Sequence, residues 1–305
     1  LKLRKPVRLR RGEKIGILAP AGSVDDERLN MGVDAILRAG FQVELAQGIR
    51  DRKGYLAGDR EKRAKVLEDF FCRPDIHAIF CARGGFGSVQ LLPLLNAHVI
   101  RHHPKIFVGF SDVSILVNWL FQQCRMVTFH GPMVANELAK GLEGRNKDFF
   151  WDTLSGEKKE WQIPLGEIIR PGAAEAQMVG GCLSTIVTTL GTPYEIETAG
   201  KLLFLEDIGE KPYRIERMLT HLQMAGKLEG IAGLIFGHFA DCEGEGERGL
   251  REIFQELFRE APYPVAAGLA AGHGEENLLL PFGVAAALDG KAGVLSLLES
   301  PVTES

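Results

Sequence analysis

The stretch Ile106-Phe-Val-Gly-Phe-Ser-Asp-Val-Ser114 decides the fold. An apolar run that reads as a strand over 106–109 stops at glycine, and a run that reads as a helix over 112–123 starts almost at once. So abrupt a strand-to-helix turn belongs to a parallel sheet with crossover helices. It puts Ser111 at the carboxyl end of a strand, where open α/β folds bind ligands, and aims the first amides of the next helix at any developing oxyanion. The geometry is that of a nucleophile elbow. The ordinary alternative is that Ser111 or Asp112 only caps the helix. Position 113 is Val, so the motif is not G-x-S-x-G, which disfavours an ordinary α/β-hydrolase.

The same alternation continues on both sides. Towards the amino terminus a strand is expected over 14–19, a helix over 24–39, a strand over 41–46, a helix over 59–71 and a strand over 77–81. The second helix should stop ahead of Pro74, because the residue before proline is pushed out of the α region. Towards the carboxyl terminus a strand is expected over 126–129. This makes residues 1–155 an N-terminal doubly wound, mostly parallel α/β domain. The pattern then weakens through Lys158, Lys159, Glu160, Pro164, Gly166, Pro171 and Gly172, and a linker is expected over 156–177. A second, smaller, β-rich α/β domain is expected over 178–305. In it Gly180-Gly181 opens a helix to Leu190, followed by a strand over 201–206, a helix over 213–225, strands over 232–236 and 265–267, and short β segments.

Composition narrows the class. The 305 residues are 45% hydrophobic and 25% charged, ordinary globular values that exclude a disordered chain. A formal charge of −4 gives no global positive field for a nucleic-acid backbone. No apolar run is long enough for a membrane helix, and the one after the basic start, Ile15 to Pro20, is too short for an export signal. Five cysteines without a C-x-x-C pair argue against a disulfide framework or a zinc ribbon, and fit a reducing cytoplasm. No His/Cys/Asp/Glu spacing suggests a metal, and His102-His103 precede Pro104 in a loop. The acidic run from Cys242 to Glu247 reads as a solvated loop.

A nucleophilic serine needs a base, and the base an orienting acid. Three histidines lie at expected strand ends: His130, His238 and His273. Gly272 and Gly274 flank His273 and permit a tight turn that exposes its ring, which favours it over His238. Among the carboxylates, Glu206 ends the apolar run Leu202 to Leu205 and is followed by Asp207. A charge at the end of a buried strand needs a partner, and the two side chains point to opposite faces, so one alone faces a site. The role of helix cap remains open for Glu206. Arg83-Gly84-Gly85-Phe86-Gly87 is a Gly-rich turn after a strand, able to offer amides and an arginine to an anion. It lacks the features of a P-loop or a dinucleotide fingerprint, and a plain turn is its ordinary reading.

Together these segments resemble the L,D-carboxypeptidase family of serine peptidases, the S66 type, which includes muramoyltetrapeptide carboxypeptidases and the microcin C immunity protein. The resemblance rests on eight short motifs in order: residues 17–23, 55–60, 82–87, 108–112, 129–132, 180–184, 204–207 and 272–273. It implies a two-domain, cofactor-free hydrolase, usually a homodimer, with a Ser-Glu-His triad of Ser111, Glu206 and His273. It implies oxyanion donors at the backbone amides of Asp112 and Gly85. Cys182 departs from the Asn that many relatives have there. The implied reaction is release of the terminal D-Ala from murein tetrapeptide during cell-wall recycling. Arg83 and Gly84 would form a pocket for the free carboxylate of that residue. The family's other substrate class is the aminoacyl-adenylate-like bond of processed microcin C, for which Phe86, Trp151 and Tyr213 are the candidate aromatic platforms. A rival of another class is a non-catalytic two-lobed ligand-binding protein.

Overall fold

The computed structural model describes residues 2–157, 161–244 and 248–304. Its strands, in chain order, are β1 (Lys14–Leu18), β2 (Gln42–Leu45), β3 (Ala78–Cys81), β4 (Ile106–Val108), β5 (Thr128–His130), β6 (Trp161–Pro164), β7 (Glu167–Arg170), β8 (Ala173–Cys182), β9 (Leu202–Ile208), β10 (Gly233–Ala240), β11 (Val265–Ala267), β12 (Leu280–Phe282), β13 (Ala285–Asp289) and β14 (Val294–Leu297). The helices are α1 (Asp26–Arg38), α2 (Arg60–Cys72), α3 (Ala97–Arg101), α4 (Ser114–Cys124), α5 (Gly144–Ser155), α6 (Leu183–Val187), α7 (Pro212–Met224) and α8 (Leu250–Phe258). None is long and apolar enough to cross a membrane. The chain divides into two compact units. One is Leu1–Lys158 with Leu279–Phe282 and Pro301–Ser305, and the other is Lys159–Leu278 with Gly283–Ser300.

The first unit holds a six-stranded sheet ordered β12-β5-β4-β3-β1-β2, parallel except for β12, which runs antiparallel to β5. The strand order reverses between β1 and β3, so their carboxyl-end loops form the crevice where doubly wound sheets take ligands. Ile15, Ile17, Ile79, Phe80, Phe107 and Val108 are fully buried, as continuous apolar runs covered by helices on both faces must be. Local chemistry sets the helix ends. Asp25 caps α1 by accepting from the Arg28 N–H at 3.0 Å, and α2 ends at extended Arg73, directly before Pro74.

The second unit is built on an eight-stranded sheet ordered β6-β14-β13-β8-β9-β10-β11-β7. The four inner strands β8 to β11 are mutually parallel, and the flanking pairs are antiparallel. Two expectations fail here. Residues 161–182, much of which composition assigns to a linker, form β6, β7 and β8, because proline and glycine sit at their ends and edges where pairing tolerates them. Gly180 and Gly181 do not open a helix. They lie within β8, which ends at Cys182, and α6 starts only at Leu183. At Gly180 (φ +134) an added Cβ would lie 1.8 Å from the Phe204 carbonyl oxygen, so glycine there serves close approach of β8 to β9. Of the acidic run, residues 245–247 lie outside the described residues.

Candidate active site

The first unit places Ser111 two residues past Gly109, which follows β4, in a short 3-10 turn over Ser111–Val113 that leads straight into α4. Phe110 is extended (φ −150), and Ser111 turns to φ +61. That left-handed conformation is strained for any residue with a Cβ, and here it occurs at the candidate nucleophile. The turn fits because glycine surrounds it. An added Cβ on Gly84 would lie 2.7 Å from the Cβ and 2.8 Å from the Oγ of Ser111, and 3.2 Å from the Asp112 nitrogen. The Arg83–Gly87 loop therefore packs its backbone directly against the serine.

That loop is itself held. Gly22, in the loop after β1, donates its N–H to the Gly84 carbonyl at 3.0 Å. The buried Arg63 donates from one nitrogen to the Pro20 and Gly87 carbonyls, at 2.5 and 3.0 Å, and from another to Gln90 at 2.7 Å. Burial pulls the Arg63 guanidinium below its usual range. Asp112, also buried, accepts from the Ser88 N–H at 2.8 Å; burial raises its carboxyl, against the opposing pull of that bond and of Arg63. Arg83 is half-buried and donates once, to the Ser23 carbonyl at 3.0 Å, and its other donors have no partner among the described residues. Gly85 (φ +103) is exposed.

The second unit brings Glu206 and His273 together. Glu206 lies in β9, paired with Cys182 of β8, and is fully buried. Its Oε2 stands 2.6 Å from His273 Nδ1 and accepts the His273 backbone N–H at 3.2 Å. This double contact fixes both the ring and the chain that carries it. Gly272, at φ +99, makes room, since an added Cβ would lie 2.6 Å from that same oxygen. Asp207 points the other way, accepting from the Ser184 N–H at 2.7 Å, the Ile208 N–H at 2.8 Å and the Ser184 hydroxyl at 3.1 Å. Burial raises its carboxyl. The strand alternation thus assigns Glu206 to the imidazole and Asp207 to the start of α6.

The other histidines are placed differently. His130 is fully buried between the rings of Phe110 and Phe282, 5.6 and 5.8 Å away. His238 sits at an irregular step in β10, with its backbone N–H donating to Ala271 at 3.0 Å and its ring against Gly274, whose added Cβ would approach to 2.3 Å. Among the described residues no group of three His, Cys, Asp or Glu is placed to hold a metal ion, and the five cysteines are free thiols. Of the aromatic platforms, Trp151 stacks on Phe41 at 4.9 Å, Tyr213 lies under Arg214 and Arg217, and Phe86 is exposed edge-on to Tyr55 at 5.9 Å. Sequence reasoning missed Arg63 and Asn277, and it gave no separate role to Gly22 within the 17–23 motif.

Two family models match the chain: the LD-carboxypeptidase N-terminal domain over residues 15–131 and the LD-carboxypeptidase C-terminal domain over residues 175–288. A protein of Bacillus subtilis (strain 168) described as a probable murein peptide carboxypeptidase is 36% identical over 98% of this chain and 96% of its own length. The microcin C7 self-immunity protein MccF of Escherichia coli is 27% identical, with 91% of each chain covered. Among solved structures, a muramoyltetrapeptide carboxypeptidase from Oxalobacter formigenes superposes with a TM-score of 0.85 at 29% identity, over 93% of this chain and 97% of that one. Fold and matches together define an enzyme of the carboxypeptidase class. The chain belongs to the LD-carboxypeptidase family.

Proposed function

We propose that this enzyme is a serine-type L,D-carboxypeptidase that releases the terminal D-Ala from the murein tetrapeptide L-Ala-γ-D-Glu-meso-diaminopimelyl-D-Ala. The observation that carries the reading is the 2.6 Å contact of His273 Nδ1 with the buried Glu206 carboxylate, which supports the tautomer protonated at Nδ1 and leaves Nε2 for proton transfer. In this reading Ser111 Oγ attacks the carbonyl before D-Ala as its proton passes to His273 Nε2. The backbone amides of Asp112 and Gly85 hold the oxyanion. His273 then gives the proton to the leaving nitrogen, D-Ala departs, and an acyl-Ser111 ester remains. Water, deprotonated by His273, hydrolyses that ester and restores Ser111. The unpaired donors of Arg83, with the Gly84 backbone, take the free carboxylate of D-Ala. No metal or cofactor enters this chemistry.

The substrate choice rests on the relatives: the Bacillus subtilis protein is named for murein peptide at 36% identity and the immunity protein matches at 27%. A second reading, hydrolysis of an aminoacyl-adenylate analogue, is favoured by one observation, the exposed Phe86 beside Tyr55 on the loop that abuts Ser111. Incubation with the tetrapeptide and with glutamyl-sulfamoyl adenosine, read by mass spectrometry, separates the two. D-Ala release from the peptide alone is expected, and cleavage of the adenylate alone contradicts the murein assignment. A fluorophosphonate adduct on Ser111 is expected as well, and separates an enzyme from a two-lobed binding protein. The proposal includes a cytoplasmic homodimer acting in cell-wall recycling, and a size-exclusion mass of one chain contradicts the dimer.

A further inference from the structure

We propose that Asn277 is a positioning residue for His273, acting through the backbone of Gly272; the inference rests on His273 being the base of the reading above. Asn277 is fully buried four residues beyond the histidine. Its Oδ1 accepts the Gly272 N–H at 2.9 Å. Gly272 needs that acceptor. With φ at +99 and no room for a Cβ beside Glu206, it turns its N–H away from any sheet or helix partner, and a buried backbone donor without an acceptor is costly.

Two backbone bonds also close the turn: the Gly274 N–H donates to the Gly272 carbonyl at 2.9 Å, and the Leu278 N–H to the Ala270 carbonyl at 2.9 Å. Asn277 thus braces from within the loop, beside Glu206 from β9, a turn whose tip carries the imidazole. The amide orientation is fixed by the same bond, because reversing it would set two N–H donors against each other. The amide nitrogen, Nδ2, is buried on the other side. Gly272 is adjacent to His273, whose own N–H and Nδ1 both address Glu206 Oε2, so a shift of the Gly272 peptide displaces both contacts. Positioning losses of this kind appear in the chemical step more than in binding.

The test uses the full chain, with D-Ala release from the tetrapeptide as assay and thermal unfolding as a check on folding. Asn277→Ala and Asn277→Leu, which lack the acceptor, should lower kcat by at least about tenfold with KM within about twofold. Asn277→Asp, which keeps an oxygen for the Gly272 N–H, should stay within about threefold of the parent. Folded Ala and Leu variants with unchanged kcat overturn the inference, as does an Asp variant as slow as the Ala one. Amide exchange in the parent chain covers the case in which the substituted chains do not fold: the Gly272 N–H should be protected at least about 100-fold, and exchange at a free-loop rate overturns the inference. His273→Ala is measured alongside. Its full activity would remove the underlying reading, whereas an inactive His273→Ala with an unaffected Asn277→Ala defeats the Asn277 inference alone.

Discussion

His273 Nδ1 lies 2.6 Å from Glu206 Oε2, and the same carboxylate oxygen accepts the histidine's backbone N–H at 3.2 Å. One buried atom therefore fixes the ring and the main chain of the candidate base together. Glu206→Gln keeps the shape and one acceptor but lets the imidazole adopt the wrong tautomer. Its kcat on the tetrapeptide should fall by roughly 10³ to 10⁴ with a melting temperature close to the parent's. Turnover within tenfold of the parent would leave Glu206 as a structural carboxylate.

Strain at Ser111 yields a prediction in which stability and activity move oppositely. At φ +61 a side chain costs roughly 1 kcal/mol that glycine does not. Ser111→Gly should therefore unfold at a higher temperature than Ser111→Ala, while both are inactive. Equal melting temperatures for the two would show that the turn carries no such cost.

Gly84→Ala adds one methyl group, 2.7 Å from Ser111 Cβ and 2.8 Å from its Oγ. Relief requires the elbow or the Arg83–Gly87 loop to move, which should cost about 1 to 3 kcal/mol of stability and at least about 100-fold in kcat/KM. Chemical denaturation and steady-state kinetics check the two arms. An active Gly84→Ala would mean that the loop is not held against the serine.

Asp112 predicts a pH dependence of stability. Burial raises its carboxyl in the folded chain above the unfolded value, so the folded state binds the proton more tightly. The group therefore imposes a penalty at neutral pH, which is relieved as pH falls through the folded-state value and is absent below the unfolded one, about pH 4. Asp112→Asn removes the charge and keeps an acceptor for the Ser88 N–H. Its melting temperature should equal or exceed the parent's at pH 7, with the difference vanishing towards pH 4. A lower melting temperature at pH 7 would show that attraction to Arg63 outweighs the burial.

The parallel first sheet could be read from the chain because its strands are short apolar runs ended by glycine, proline or a cap, as at Gly109 and Pro74. The second sheet could not be read at its edges. Trp161–Pro164 and Glu167–Arg170 carry the charge, proline and glycine of a loop, and they pair only because β14 and β11 supply partners more than a hundred residues later in one case and about a hundred in the other. Gly180 illustrates the same limit. Glycine before Leu183 reads as a helix start, while its role is set by the Phe204 carbonyl across the sheet. Ser111, Glu206 and His273 stood out as polar residues at strand ends. Arg63 and Asn277 did not, since both act on backbone groups that only the folded turns bring to them.

The most direct measurement is the turnover of purified Ser111→Ala on the murein tetrapeptide, with D-Ala release followed by mass spectrometry beside the parent chain. Loss of roughly 10⁴ to 10⁶ in rate, in a variant that unfolds near the parent's temperature, is the predicted result. Near-parent release of D-Ala by that variant would contradict Ser111 as the nucleophile.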